Sequence, residues 1–154
     1  MTNARRGTAK PILPFFAGIY GPLAPFGYTL LRFCTGAILV PHGAQKLFFG
    51  GAAALAGKTL TAWGLPEPLV WAYAIGMLEC FGGTLLALGL LTRPIALLFV
   101  IELLVIIAGV HAPIGWGWNR GGAEYPVFLL ALCLAIFFRG GGKYSLDRRI
   151  IKEF

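Results

Sequence analysis

PLVWAYAIGMLECFGGTLLALGLLTRPIALLFVIELLVIIAGVHA, Pro68 to Ala112, decides the fold class. Pro68 to Leu91 holds one charged side chain, Glu79, and Ile95 to Ala112 holds one more, Glu102. The hydrocarbon core of a bilayer, about 30 Å thick, takes about 20 helical residues, so each run is long enough to cross. Only Thr92, Arg93 and Pro94 separate them, which forces an antiparallel helical hairpin. Pro94 suits the first turn of a helix, where its missing N–H costs nothing.

Outward from this hairpin, Tyr125–Phe138 is a third uninterrupted apolar run, and Gly121, Gly122 and Ala123 extend its start. Upstream, Gly27–Phe49 is the weakest span by hydropathy because it contains Arg32, His42, Gln45 and Lys46. Pro41 should kink it and free a carbonyl near Ala37. The resulting architecture is all-α, an integral membrane four-helix bundle with antiparallel up-down topology. Its spans fall at about 27–49, 68–91, 94–112 and 123–139, within a domain covering 26–139. Residues 1–25 read as a lead-in whose 11–25 stretch, broken by Pro11, Pro14, Gly18, Gly21, Pro22 and Pro25, is an irregular, aromatic interfacial segment. Residues 140–154 form a basic tail in which Ser145-Leu146-Asp147-Arg148 looks like the capped start of a short interfacial helix.

Composition agrees. Hydrophobic residues make up 58% of the 154 and charged residues only 12%, too few polar side chains to cover a soluble domain of this size. The net charge of +7 is an orientation signal. Arg5, Arg6, Lys10, Arg93, Arg139, Lys143, Arg148, Arg149 and Lys152, nine of the 13 basic residues, share one side if there are four crossings. The excess of Lys and Arg on that side places both termini in the cytoplasm. Three crossings would split the basic termini, and no basic patch is left that calls for a nucleic acid.

Cys34, Cys80 and Cys133 lie inside apolar stretches with no CxxC spacing, so they read as small hydrophobes and not as a disulfide or zinc framework; no metal site is expected. Small residues should bring the helices together: Ala72, Gly76 and Gly83 on one face, Gly36 and Gly43 on the first span, and Ala131 with Ala135 on the fourth.

An ionisable group at membrane depth costs a few kcal/mol or more and marks a partner or a cavity. At 1.5 Å per residue, Arg32 lies roughly 8 Å and Glu102 roughly 12 Å from the cytoplasmic side, with Glu79 near the midplane. Arg32, Glu79 and Glu102 therefore form one expected cluster, handling a ligand or a proton, or fixing helix register as an ion pair. A second polar group gathers on the outer side: His42, Lys46, His111, Glu124 and Tyr125, with Arg120, Trp116 and Trp118 nearby. Macrodipole, snorkelling and interfacial anchoring account for much of it. Arg32, Gly36, Leu39, Gly43 and Lys46 share one stripe of the first span, facing inward, and His42 sits off it. His42 and His111 meet only the minimum requirement for bis-His haem ligation, and two histidines do not carry a haem site. No nucleotide loop, Ser-His-Asp set or carboxylate-rich metal motif is present.

In order and spacing, these residues resemble the DoxX family of small four-helix membrane proteins. The resemblance rests on Arg32 with Gly36, His42-Gly43-Ala44-Gln45-Lys46-Leu47, Gly64-Leu65-Pro66, and Glu79 followed by Phe81-Gly82-Gly83. It continues through Leu88-Gly89-Leu90-Leu91-Thr92-Arg93, His111-Ala112-Pro113, Gly121-Gly122-Ala123-Glu124-Tyr125 and Gly140-Gly141-Gly142-Lys143-Tyr144-Ser145-Leu146-Asp147. The resemblance implies a multi-pass bacterial inner-membrane protein whose relatives usually carry an oxidoreductase label. That label stems from association with a quinol oxidase, with thiosulfate:quinone oxidoreduction and with thiol and oxidative-stress defence. With no redox cysteine pair or flavin site of its own, such a chain would need a lipid-soluble quinone or a partner enzyme. Three function classes follow: the small membrane subunit of a redox or stress-defence system, a transporter or channel for protons or a small solute, and a non-catalytic scaffold or assembly partner. Its contacts are expected with the bilayer and with a redox-enzyme partner or a second copy.

Overall fold

The computed structural model describes residues 14–150. Among them the chain is helical with no strand. Helix α1 spans Pro14–Phe48, and α2 is Gly51–Leu55, running on through a wide π turn at Ala56–Leu60. Helices α3 and α4 span Pro68–Leu88 and Thr92–His111. Helix α5 spans Glu124–Arg139, and a single turn, α6, Asp147–Ile150, closes the described chain.

Three helices are long and apolar enough to cross a membrane, Gly18–Phe48 within α1, Pro68–Leu88 and Thr92–His111. With 16 residues, α5 is about 24 Å long, short of the hydrocarbon thickness. Gly121, Gly122 and Ala123 do not lengthen it. They form a tight loop instead, in which the amides of Ala123 and Glu124 donate to the carbonyls of Gly115 and Trp116. All four long helices contribute to one apolar core: Leu39 from α1, Leu86 from α3, Phe99 and Leu103 from α4, Leu129, Cys133 and Ile136 from α5. The outward faces are also apolar, with Phe33, Val70, Leu104, Phe128 and Phe138 exposed. This inversion of the soluble-protein pattern identifies a surface solvated by lipid.

Close approach of α1 to α3 follows from the small residues expected there. A side chain at Gly36 would meet the backbone of Gly83 and Ala87, and one at Gly43 would come within 2.6 Å of the Gly76 carbonyl. The pair Ala131 and Ala135 behaves differently. Both are exposed, because α5 packs on α4 through the Leu129, Cys133 and Ile136 face.

Two further expectations are corrected. The described part of the lead-in, residues 14–25, is helical and continuous with the first span. Pro22 and Pro25 lie inside that helix and remove only the hydrogen bonds to the carbonyls four residues earlier. The hairpin break lies at Gly89-Leu90-Leu91, three residues earlier than the polar Thr92-Arg93-Pro94.

The reason is a joint at this end of the bundle. Arg32, 1% exposed, reaches from α1 and donates from Nη1 to the Leu86 and Ala87 carbonyls at 2.6 and 2.7 Å, and from Nη2 to the Tyr144 carbonyl at 3.4 Å. It thereby caps carbonyls in the last turn of α3, sharing that of Leu86 with the Gly89 amide, at a helix end where a cation also complements the dipole. Asp147 does the reverse for α4: its carboxylate accepts from the amides of Leu91 at 2.6 Å and Thr92 at 2.9 Å. Gly89 at φ 73° leaves no room for a side chain, which would come within 2.6 Å of Arg32 Cζ. The tail is fastened by the Tyr28 hydroxyl donating to the Gly140 carbonyl at 2.5 Å, with the Arg139 guanidinium 4.2 Å from the Tyr28 ring centre. As expected for a capped start, Ser145 Oγ accepts from the Arg148 amide at 3.3 Å.

Asp147→Ala should lower stability in detergent by about 1 kcal/mol, the usual worth of a helix cap. Arg32→Lys should lower it further, because one ammonium cannot reproduce the guanidinium fork. Thermal unfolding of the purified variants reads both, and an unshifted midpoint would count against the joint.

Candidate functional site

The expected cluster of Arg32, Glu79 and Glu102 does not form. Arg32 is consumed by the joint, and the cation beside the carboxylates is Lys46, which the sequence places with the outer group. Lys46 lies near the end of α1, on the inward stripe shared with Arg32, Gly36, Leu39 and Gly43. Its Nζ is 2.5 Å from Glu79 Oε2. Their side chains are 19% and 7% exposed, so the pair is largely withdrawn from solvent. Gly76 allows this, since a side chain there would press on Lys46 Cβ at 3.0 Å. Glu79 sits in a second π turn, Leu78–Gly82, a distortion frequent at functional sites.

Glu102, on α4, lies within electrostatic reach of both Glu79 and Lys46. Both of its carboxyl oxygens are buried and meet no donor outside the cluster, while the Glu79 carboxyl lies within hydrogen-bonding reach once one of the two holds a proton. Such a group is costly in an apolar interior, and its persistence points to an occupant or a shared proton. Beside it opens a cavity of about 460 Å³, walled by α2 and its following turn, α3 and α4. Leu60, Trp63, Ile75, Leu78, Ile101 and Val105 supply apolar wall, while Lys46 and Glu102 supply charge at the inner end.

The remaining residues of the outer group do not converge. His111 Nδ1 lies 2.6 Å from the Gly121 carbonyl, and Glu124 Oε2 accepts from the Trp118 amide at 3.2 Å. Both fasten the loop between α4 and α5. His42 is exposed on α1, as its place off the stripe requires. Tyr125 is exposed and borders a separate apolar crevice with Leu31, Cys34 and Thr35. The three cysteines are free: Cys133 is in the core and Cys34 on the surface. No group of three or more His, Cys, Asp or Glu able to hold a metal occurs among the described residues.

Sequence reading missed the wall made by the connection between α1 and α3. Ala52, Ala56 and Leu60 are buried against Ala72, and Trp63 lies against Gly109 of α4. The four-residue spacing of Ala52, Ala56 and Leu60 was the available signal for a packed helical face.

The family model described as DoxX matches residues 27–112, which take in the first three helices of the bundle, the cavity wall and all three charged residues of the cluster. The chain belongs to the DoxX family. Among curated relatives of this DoxX protein is one from Bacillus subtilis (strain 168) named "Putative oxidoreductase CatD", 31% identical over 82% of this chain and 88% of its own. Another is an uncharacterized membrane protein of Mycobacterium tuberculosis, Rv3486, 28% identical over 96% of this chain and 93% of its own. A third, an uncharacterized Haemophilus influenzae protein, is 32% identical over 58% of this chain and 59% of its own. No solved structure matches the chain.

Lys46→Met should destabilise by about 3 kcal/mol, because it strands Glu79 in an apolar setting, whereas Lys46→Met with Glu79→Leu should recover much of the loss. Unfolding midpoints of the two variants test this, and equal losses would dissociate the pair from stability.

Proposed function

We propose that this DoxX protein is the small membrane subunit of a bacterial redox or oxidative-stress defence system, and that Lys46 and Glu102, backed by Glu79, meet a lipid-soluble quinone at the inner end of the cavity. The observation that carries the reading is Glu102, a buried carboxyl with no donor beyond the neighbouring Glu79, set with Lys46 in the wall of a largely apolar cavity of about 460 Å³. That volume is in the usual range for a small-molecule site, about 300–1,000 Å³, and apolar walls with a few polar groups are the common pattern. A quinone fits this donor set because its ring is apolar and its oxygens pair with an ammonium or a carboxyl. The name of the Bacillus relative supports the redox side of the reading.

A quinone would supply the electron chemistry. The chain's own groups would orient its head and manage protons. One ammonium and two carboxyls balance in charge when the carboxyl pair holds one proton, and that proton is the one available for exchange with a bound head group. The apolar wall of Leu60, Ile75 and Leu78 keeps bulk water from competing. Conduction of protons across the membrane is the less supported reading, because beyond Glu102 the cavity wall is apolar.

In the same reading α5 is the fourth crossing and both termini are cytoplasmic, with a locally thinned bilayer accommodating its 16 residues. A fluorescent protein fused to the C-terminus in bacteria should therefore be bright, as expected on the cytoplasmic side; a dark fusion with full expression would overturn four crossings.

For the site, solvent extraction of the purified protein should yield a quinone, and decyl-benzoquinone should quench tryptophan fluorescence saturably. Glu102→Gln should weaken binding by about tenfold or more, the worth of a charged hydrogen bond. No quinone in the extract together with no saturable quenching would end this reading.

A further inference from the structure

Resting on the reading of the Lys46, Glu79 and Glu102 cluster as a ligand site, the geometry points to a route and a ligand class: the occupant enters sideways from the bilayer, as a neutral amphiphile with an apolar body and one hydroxyl or carbonyl head. The mouth of the cavity carries the argument. Trp71, Leu98, Ile101 and Val105 line it and are 51%, 42%, 52% and 51% exposed. They belong to the outward faces of α3 and α4; Leu98 and Ile101 lie mid-helix, where the surroundings are acyl chains, and Trp71 lies in the first turn of α3, nearer the interface. Its rim is therefore solvated by lipid, and the polar groups lie at the opposite, buried end.

This gradient selects the ligand. A water-soluble anion or cation would have to cross an apolar rim to reach Lys46, at the cost of its hydration. A molecule already dissolved in the bilayer crosses the rim without that cost and gains a partner for Glu102 only on arrival. A hydroxyl donates to the Glu102 carboxylate, and a carbonyl accepts from its protonated form or from Lys46. The volume holds a head and a short length of tail, so a longer tail continues through the mouth into lipid. On the far wall Trp63 lies against Gly109, where a side chain would collide with the indole ring. The connection thereby packs against α4 beside the cavity.

The test uses full-length protein in liposomes and a photoreactive probe, 1-octanol carrying a diazirine at its third carbon. Irradiation should place adducts on Glu102, Ile75 and Leu78, saturating with the mole fraction of probe in the lipid. The same diazirine on 1-butanol, four methylenes shorter, should label these positions about 100-fold less at equal aqueous concentration. Val105→Trp, a lipid-facing change at the mouth, should cut inner labelling several-fold while leaving the lipid-facing Leu97 unaffected. Equal inner labelling by the short probe, or adducts confined to Leu97 and Leu104, would overturn the inference. Competition separates the two readings. Inner labelling that decyl-benzoquinone fails to displace keeps the lateral amphiphile site and removes the quinone. A quinone that co-purifies without any inner labelling keeps the quinone and removes the route.

Discussion

In lipid no backbone polar group can turn to water, so the places where helices end inside or near the membrane govern what the rest can do. Here that constraint is met by one buried guanidinium. Arg32 covers the last carbonyls of α3 while Asp147 covers the first amides of α4, so the tightest connection in the chain is held from both sides by charges of opposite sign. Each charge sits on the helix end whose dipole favours it. The reversal at Gly89-Leu90-Leu91 depends on them, including the left-handed backbone of Leu91 at φ 51°. Placing Asp147 there obliges the tail after α5 to return to the bundle, which explains the glycines at 140–142 and the anchor at Tyr28.

The joint also separates two kinds of buried charge that the sequence presents alike. Arg32 has its hydrogen bonds to backbone and its electrostatic counterpart in Asp147, so it is a structural cation. Lys46, further along the same stripe of α1, is paired to the Glu79 side chain, which itself neighbours the buried carboxyl of Glu102. The first arrangement joins helix ends through backbone groups, and the second gathers three ionisable side chains beside a cavity. Membrane burial alone does not distinguish them. Their partners do.

Much of the fold was legible. Apolar runs gave the spans at Pro68–Leu88 and Thr92–His111, the distribution of basic residues gave the first, and Gly36, Gly43, Gly76 and Gly83 marked the faces that turn out to meet between α1 and α3, because small-residue spacing is local and periodic. The inward stripe on α1 was also correct, and it held both cations. Which cation meets the carboxylates was not legible, since depth estimates from residue counts carry no information about the tail that claims Arg32. The helical start of α1 was hidden by its prolines, and the break before Thr92 by a cap donated from 55 residues away. Ala131 and Ala135 carried the same small-residue signal as the α1–α3 glycines, yet lie on the wrong face. Spacing marks a surface that can pack closely and does not name its neighbour.

One wall of the cavity is built by the connection between α1 and α3, residues 51–65, and the rest by α3 and α4. Its contribution to the core is limited to small faces such as Ala52 and Ala56 against Ala72. Substitutions at Leu55, Thr59 or Trp63 therefore reshape the chamber while the load of holding the bundle stays on α1, α3, α4 and α5. A change of side chain in that short insert therefore alters the shape of the chamber while the helices that carry Lys46, Glu79 and Glu102 keep their packing.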